Sequence, residues 1–471
     1  MNLYTVASGI HAHNEWLGVI GTNISNSGTI GYQSSSFEFA DYMYQTTPAG
    51  SIGLGTGAWD IRRDTENGAL VSSPSSTHIG INGAGYFKVQ DSYGHSYYTR
   101  SGLFGFNVEG VYTDPLGNAV LGFPIQNGAT SSSETTITLP SSTIPPQATT
   151  TISTQFNLGF TEQKSPTTLF ESWNNGISQA QYAQEITFSV YTPAGTKQTI
   201  NVYFDLIENA GQENIYEYAV TIPPEDDMRN LPEDSTKKGL LMTGALVFSS
   251  GGSLQNMSAL TPSTTPENLD SWVQAPLNAS GLPLFTLPLA SGNQSVALDL
   301  GISSTNQNYS KSPSTNPLLS SFLGEPVVQK YASTAYAGDT ITEFLKIDGT
   351  PEGFLQDINI GQNGVMTARY SNGETVDIYQ LNLYTFQATD ALQDKGNGLY
   401  FYNASIGGAI YSNKPGEGNT GITQGGYLEY SNVDLSTEFV NMILCQTSLT
   451  ANTKMFTTMD TMLQTAITLK S

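Results

Sequence analysis

The residues best equipped for chemistry in this chain are few, and their spacing argues against using them for it. His11 and His13 stand two apart in a helical stretch, where side chains at that spacing do not face one another, so a shared metal ion is not expected. The run Asp357-Ile358-Asn359-Ile360-Gly361-Gln362-Asn363-Gly364 begins like a calcium loop. It then puts Gln362 where the loop needs glycine and Ala368 where it needs a bidentate glutamate, so it reads as strand and turn. Gly53, Gly55 and Gly57, and the pair Gly83 and Gly85, complete neither a dinucleotide fingerprint nor a phosphate loop. Asp226 and Asp227 follow Pro223 and Pro224 and read as a solvated loop rather than an acid/base couple. His78 and His95 fall in strand and turn contexts, with no nucleophile elbow or zinc-protease motif nearby. The single cysteine, Cys445, lies on an apolar helical stripe and reads as a buried, inert thiol. No catalytic set, cofactor or metal is expected.

The elements at the two ends of the chain carry the stronger signal. Leu3, Val6, Ile10, His13, Leu17, Ile20 and Ile24 alternate at spacings of three and four. Met442, Cys445, Leu449, Asn452, Phe456, Met459, Leu463 and Ala466 do the same. That alternation is the coiled-coil period, and a narrow apolar seam needs a helical partner to cover it. The candidates are the other seam or the seams of neighbouring copies. His13 and Asn452 are the polar positions that would fix register. The first helix is expected over residues 2–26, ended by Asn26, Ser27 and Gly28. The second is expected from Asp434 on, with Asn432 or Asp434 as its N-cap and Glu438 in its first turn.

Between the helices the pattern is β. Short alternating runs at 78–82, 86–90, 96–99, 103–108 and 111–113 are cut by turn residues, and others follow at 186–191, 199–206, 216–222, 244–248, 354–360, 365–370, 375–385 and 399–403. Residues 131–151, rich in Ser, Thr and Pro, read as a linker, and 249–320 as edge strands and long loops. Nine acidic residues between Asp205 and Asp234 give the middle region an acidic face. The fold class expected is mainly β with terminal α-helices: nested discontinuous β-domains plus an N/C-terminal helical coiled-coil domain. The expected division is 1–30 with 430–471 as a terminal helical polymerisation domain, 31–75 as an extended connecting segment, 76–150 with 346–429 as an inner β-domain, and 151–345 as outer β-domain.

Composition narrows the partners. The chain has 471 residues, 40 acidic against 17 basic, and a formal net charge of −23, which disfavours nucleic acid and anionic membranes. Charged residues make up 12%, about half the share usual in soluble domains, so the surface is neutral and polar. No run approaches the length of a membrane span. The first Lys or Arg is Arg62, so the N-terminal stretch lacks the basic start of a cleaved secretion signal.

Particular segments resemble a known family. Residues 7–12, 17–26 and 29–32, with Asn23, Asn26 and Gly31, are similar to the N-terminal signature of bacterial flagellar rod, hook and hook-associated axial proteins. Residues 425–436, with Leu428, Glu429, Ser431, Asn432, Val433, Asp434 and Leu435, are similar to their C-terminal signature. Segments carrying Gly83, Gly85, Arg100, Gly102, Ser371, Asn372 and Gly373 look like the family's inner β-domain, and 188–204 with 244–248 like the further domain of hook proteins. The chain departs from the pattern at Thr22, where Asn is usual, at Tyr32-Gln33, where Phe-Lys is usual, and across about 255–345.

The resemblance implies a structural subunit that self-assembles into the tubular, bendable hook joining motor rod to filament and transmitting torque. It also implies, as partners, further copies of the chain, a distal rod protein, a hook cap protein, a hook–filament junction protein and the flagellar type III export apparatus. It places the protein outside the cell, exported without a cleaved signal. The rival readings are a distal rod or hook-associated junction protein, which share the termini, and a secreted β-rich adhesin.

Overall fold

A computed structural model describes residues 3–42, 44–47, 50–53, 55–159, 167–209, 213–263, 265–312 and 314–469, with the side chains of 44–53, 208, 209, 213 and 390 left aside. The chain divides into two compact units, residues 1–142 with 355–471, and residues 143–354. Among the described residues the architecture is mainly β, with long helices at the two ends.

In the first unit, helix α1 (Leu3–Ser25) is followed by an antiparallel pair, Ser35–Asp41 with Thr56–Arg63, bulged between Glu38 and Phe39. A larger antiparallel sheet mixes chain from both halves. Its order is Gly353–Ile360, Val365–Tyr370, Thr375–Gln380, Ala119–Gln126, Phe87–Gln90, Ser96–Thr99, Leu399–Tyr402 and Leu392–Gly396. Inward-facing positions alternate with wetter ones, as in Phe87–Gln90 and Val365–Tyr370, the mark of a sheet packed on one face. Ile79, Phe87, Val89, Tyr112, Val120, Ile360, Met366 and Leu399 share one core. Because that core draws on residues before 142 and after 355, neither half can be completed alone. Leu70–Ser72 then pairs with Tyr427–Glu429, and Ile79–Asn82 with Ile422–Gly425, carrying the chain into the final helix, α3 (Leu435–Thr468).

The second unit packs a seven-stranded sheet and a four-stranded sheet on one core. The first runs Gln184–Tyr191, Lys197–Asn209, Glu213–Thr221, Leu240–Ser249, Leu260–Thr261 and Val273–Gln274, with Leu254–Met257 alongside. The second runs Leu284–Leu289, Gly292–Asp299, Thr151–Asn157 and Ile341–Ile347. A one-turn helix, α2 (Leu169–Ser172), lies on the seven-stranded sheet, where Leu169, Phe170 and Trp173 pack with Tyr203, Leu240 and Trp272.

Two expectations from composition need correction. The Ser/Thr/Pro stretch at 131–151 is not a free linker. Ile137 is fully buried in the first core and its backbone bonds to Tyr112 and Val120, while Thr149 is buried in the second unit. Polar residues suffice there because the strands alongside take up the backbone hydrogen bonds. The 249–320 stretch does supply edge strands, Val273–Gln274 and Leu284–Leu289, but it also supplies the inner strand Gly292–Asp299, and its Phe285, Leu287, Val296 and Leu298 are core residues.

Candidate self-assembly site

α1 and α3 lie against each other antiparallel. The Asn23 side chain donates to Glu438 Oε1 (2.8 Å), Cys445 Sγ donates to His13 O (3.0 Å), and Gly9 lies beside the Asn452 side chain. Along α3 the least exposed positions include Met442, Cys445, Leu449, Asn452, Phe456 and Met459, which is the seam read from sequence. Leu463 and Ala466 are exposed, because α1 has ended before the antiparallel pairing reaches them. On α1 the buried positions are Val6, Gly9, Ala12, Ile20 and Asn23, while Leu3, Ile10, His13, Leu17 and Ile24 are half-covered. The contact face is thus turned toward the small residues Gly9 and Ala12, which an apolar-only reading of the heptad passes over.

His13 Nδ1 lies 2.7 Å from Gly9 O, and its ring packs at 5.2 Å from Phe39 and 6.0 Å from Trp16. The neighbouring His11 faces away, toward Glu15 (3.3 Å). Cys445 is fully buried, and burial pushes its thiol up, away from the reactive thiolate.

Where the helices meet the β-strands, two asparagines knot the chain. Asn23 is buried with all four of its hydrogen-bonding positions used: Nδ2 donates to Ser35 O and Glu438 Oε1, and Oδ1 accepts from Ser35 N and the Tyr32 hydroxyl. Asn432 Oδ1 accepts from Ser34 N (2.7 Å), and its amide donates to Glu66 O (3.0 Å). It does not cap α3. That role falls to Asp434, whose carboxylate accepts from Ser436 N (2.8 Å). Asn26 ends α1 by donating to Thr22 O.

Beneath this knot is a buried ion pair. Arg100 Nε and Nη2 donate to both oxygens of Glu429 (2.9 and 2.8 Å), and the remaining guanidinium donors reach Gly83 O, Gly85 O and Asn67 Oδ1. Glu429 also accepts from Gly68 N and, through its carbonyl, from Gly31 N. Gly31 has φ +69°, and a Cβ there would stand 2.5 Å from Ser101 N. At Gly102 a Cβ would stand 1.5 Å from Ile79 O. The glycines let the strands close over the ion pair. The departures at Tyr32 and Gln33 both carry hydrogen bonds, since Gln33 Oε1 accepts from the Tyr86 hydroxyl (2.7 Å). Leu428 is buried beside Glu429, whereas Ser431, Val433 and Leu435 are partly or well exposed. Ser371, Asn372 and Gly373 form a hairpin turn after Val365–Tyr370 instead, with Asn372 Oδ1 accepting from Glu374 N.

A cleft of about 770 Å³ opens between α1, the Ser35–Asp41 pair and the start of α3, lined by Trp16, Phe37, Arg62, Glu66, Thr437 and Asn441 among others. Elsewhere the candidate chemistry resolves into structure. Asp357 accepts from Ser76, and Asn363 from Val365 N in a turn. Asp227 is not solvated, as its proline-rich setting suggested: it is buried and paired with Arg229 (2.6 Å). Burial pushes its carboxyl up, but Arg229 and the Gly239 N–H outweigh that and hold it below the usual range. Among the described residues no three His, Cys, Asp or Glu gather to hold a metal ion, and no helix is long and apolar enough to cross a membrane.

Three family models match the chain. The flagellar hook protein FlgE/F/G D1 domain covers 80–155, the flagellar basal body protein FlaE D2 domain 164–350, and the flagellar basal body rod FlgEFG protein C-terminal region 424–469. The chain belongs to the flagellar hook protein family. The flagellar hook protein FlgE of Treponema pallidum is 27% identical over 100% of this chain and 99% of its own length, and that of Salmonella typhimurium 26% over 100% of both. A crystal structure of the Helicobacter pylori flagellar hook protein FlgE2 aligns with 76% of this chain and 100% of that one, at TM-score 0.44 and 13% identity. Of the residues that resemble the family's signatures, Asn23, Gly31, Gly83, Gly85, Arg100, Gly102, Glu429 and Asn432 converge on the knot and ion pair just described. Asn23 and Asn432 tie the end of α1 and the approach to α3 to the chain at Ser34 and Ser35, and the ion pair holds the strands beside them.

Proposed function

We infer that this chain is a structural subunit of the flagellar hook, a self-assembling, bendable tube that joins the motor's rod to the filament and transmits torque. The observation that carries this reading is full-length similarity to hook proteins combined with a terminal helix pair whose outer face is left uncovered. Phe439, Val440, Ile443, Leu444, Met455, Met462, Leu463 and Ile467 of α3 are all well exposed. Exposure of this much apolar side chain along a single helix favours a further partner. Copies of the same chain, repeating head to tail, would supply it and propagate a tube.

In this reading the terminal helices (1–30 and 430–471) polymerise, the inner strands (76–150 and 346–429) hold them at a fixed angle, and 151–345 forms the outer surface. The knot at Asn23 and Asn432 and the Arg100–Glu429 pair transmit load from helix to strand. The subunit acts by contact alone, outside the cell, against copies of itself and, at the ends of the tube, the distal rod, hook cap and hook–filament junction proteins. It reaches that place through the flagellar type III export apparatus.

The test is assembly. Purified chain, concentrated in high salt to screen its charge of −23, forms tubes or filaments visible by electron microscopy. Ile20→Asp and Leu463→Asp abolish them while leaving the β-strand circular dichroism in place. Failure to assemble, together with normal swimming in a strain that lacks the gene, would overturn the reading.

A further inference from the structure

In the second unit two buried ionisable side chains grip the same short helix from opposite ends. At its start, Leu169 N and Phe170 N donate to Glu217 Oε2 and Oε1 (2.7 and 3.1 Å). At its end, Lys237 Nζ donates to Phe170 O and Trp173 O (2.7 and 2.8 Å) and lies 4.6 Å from the Phe170 ring centroid. Between these grips Leu169, Phe170 and Trp173 are pressed onto Tyr203, Ala219, Leu240, Leu260 and Trp272.

The two grips differ in kind. Lys237 bonds to carbonyls and does not neutralise a carboxylate. Glu217 is fully buried, and among the described residues no cation lies within ion-pair distance of it. Directly across the strand ladder stands a second buried carboxyl, Asp205. The other ionisable groups around the helix are committed elsewhere: Glu171 to a capping box with Thr168, Glu267 to Ser235 and Thr236, and Arg229 to Asp227. Burial and the nearby Glu185 keep the Tyr203 phenol neutral despite its bond to Asn201.

We propose that residues 168–173 form a strap over the seven-stranded sheet, latched by Glu217 and Lys237 and released when Glu217 gives up its proton. Burial pushes the Glu217 carboxyl up to about 7, with Asp205 and Glu171 adding to the effect and the two N–H donors opposing it. With the strap open, the side chain is solvated and titrates in the ordinary carboxylate range. Between those limits the closed state holds a proton that the open state does not. The latch is therefore complete below the ordinary carboxylate range and weakens as pH rises, by up to about tenfold per pH unit, before levelling off above neutrality.

Hydrogen exchange on the full chain from pH 5 to pH 8 tests this. In the wild type the protection factors of the Leu169 and Phe170 amides fall by at least about tenfold, while those of Val202 and Val220 in the sheet beneath hold steady. Glu217→Gln removes the fall, and Asp205→Asn moves it to lower pH. The proposal is overturned by a flat wild-type profile, by a fall shared with Val202 and Val220, or by one that Asp205→Asn leaves in place. The last two arms remain decisive if Glu217→Gln does not fold.

Discussion

Nine of the ten residues in the strand Leu240–Ser249 are buried, whereas of the 34 residues in α3 Cys445 alone is. The strand is covered on both faces by its own chain: Met242, Leu246 and Phe248 enter the core between the two sheets, and Ala245 and Val247 a smaller cluster behind. α3 is covered along one narrow seam by α1 and is apolar on much of the rest. One region is a finished interior and the other is half of one. A segment whose burial is complete within the chain is built for stability, and one that exposes Ile, Leu and Met along its outer face is built to be completed by something else.

Substitutions separate the two kinds of region, and the largest effects belong to groups that are already satisfied. Arg100→Ala leaves the Glu429 carboxylate buried without its partner and should cost about 3–5 kcal/mol, read as a lower urea midpoint and faster exchange of amides in the first core. Replacing Arg100 and Glu429 together with apolar residues should cost less, which would show that the penalty lies in the orphaned charge. Phe248→Ala should cost the second unit about 3–5 kcal/mol, through lost transfer energy and the cavity left behind. Where the variant remains folded, it should still assemble. If Phe248→Ala blocked assembly at a temperature where the fold is intact, the division between finished and unfinished regions would fail. Asn23→Ala comes next: it strips Ser35, Tyr32 and Glu438 of a partner and should cost about 1–3 kcal/mol, loosening the helix pair while sparing both cores.

The sequence made the repetitive parts of this structure readable and left the convergent parts hidden. Strand runs such as 365–370, the α3 seam from Met442 to Met459 and the Asp434 cap follow from local periodicity and local hydrogen bonding, so a single stretch of chain contains the whole signal. The face of α1 was displaced because Gly9 and Ala12, which let α3 approach, contribute little to an apolar pattern. The Arg100–Glu429 pair joins residues 329 positions apart and the Asn23–Glu438 bond residues 415 apart, and no local pattern announces either. Family resemblance flagged Asn23, Arg100 and Glu429 but not what they touch. Glu438 is legible as an acidic residue in the first turn of α3, but not that its carboxylate also binds α1. Ile137 and Phe285 were lost among Ser, Thr and Pro because composition averages away a single anchoring side chain.

The smallest effect on the isolated chain should be the most informative. Ile443 is 60% exposed, so Ile443→Ser removes no contact that the single chain buries deeply and should change its unfolding free energy by no more than about 0.5 kcal/mol. If a neighbouring copy covers that face, the same change forfeits about 1.5–3 kcal/mol of burial in the assembled state. That difference raises the concentration needed for tube growth by at least about tenfold, measured by sedimentation of polymer from a dilution series. A stability loss of the kind expected for Phe248→Ala would mean that α3 turns this face inward in the free chain. An unchanged growth threshold would mean that the apolar stripe faces solvent in the tube as well, and that the copies meet through other surfaces. Stability and assembly need not move together, and Ile443 is where they should part most clearly.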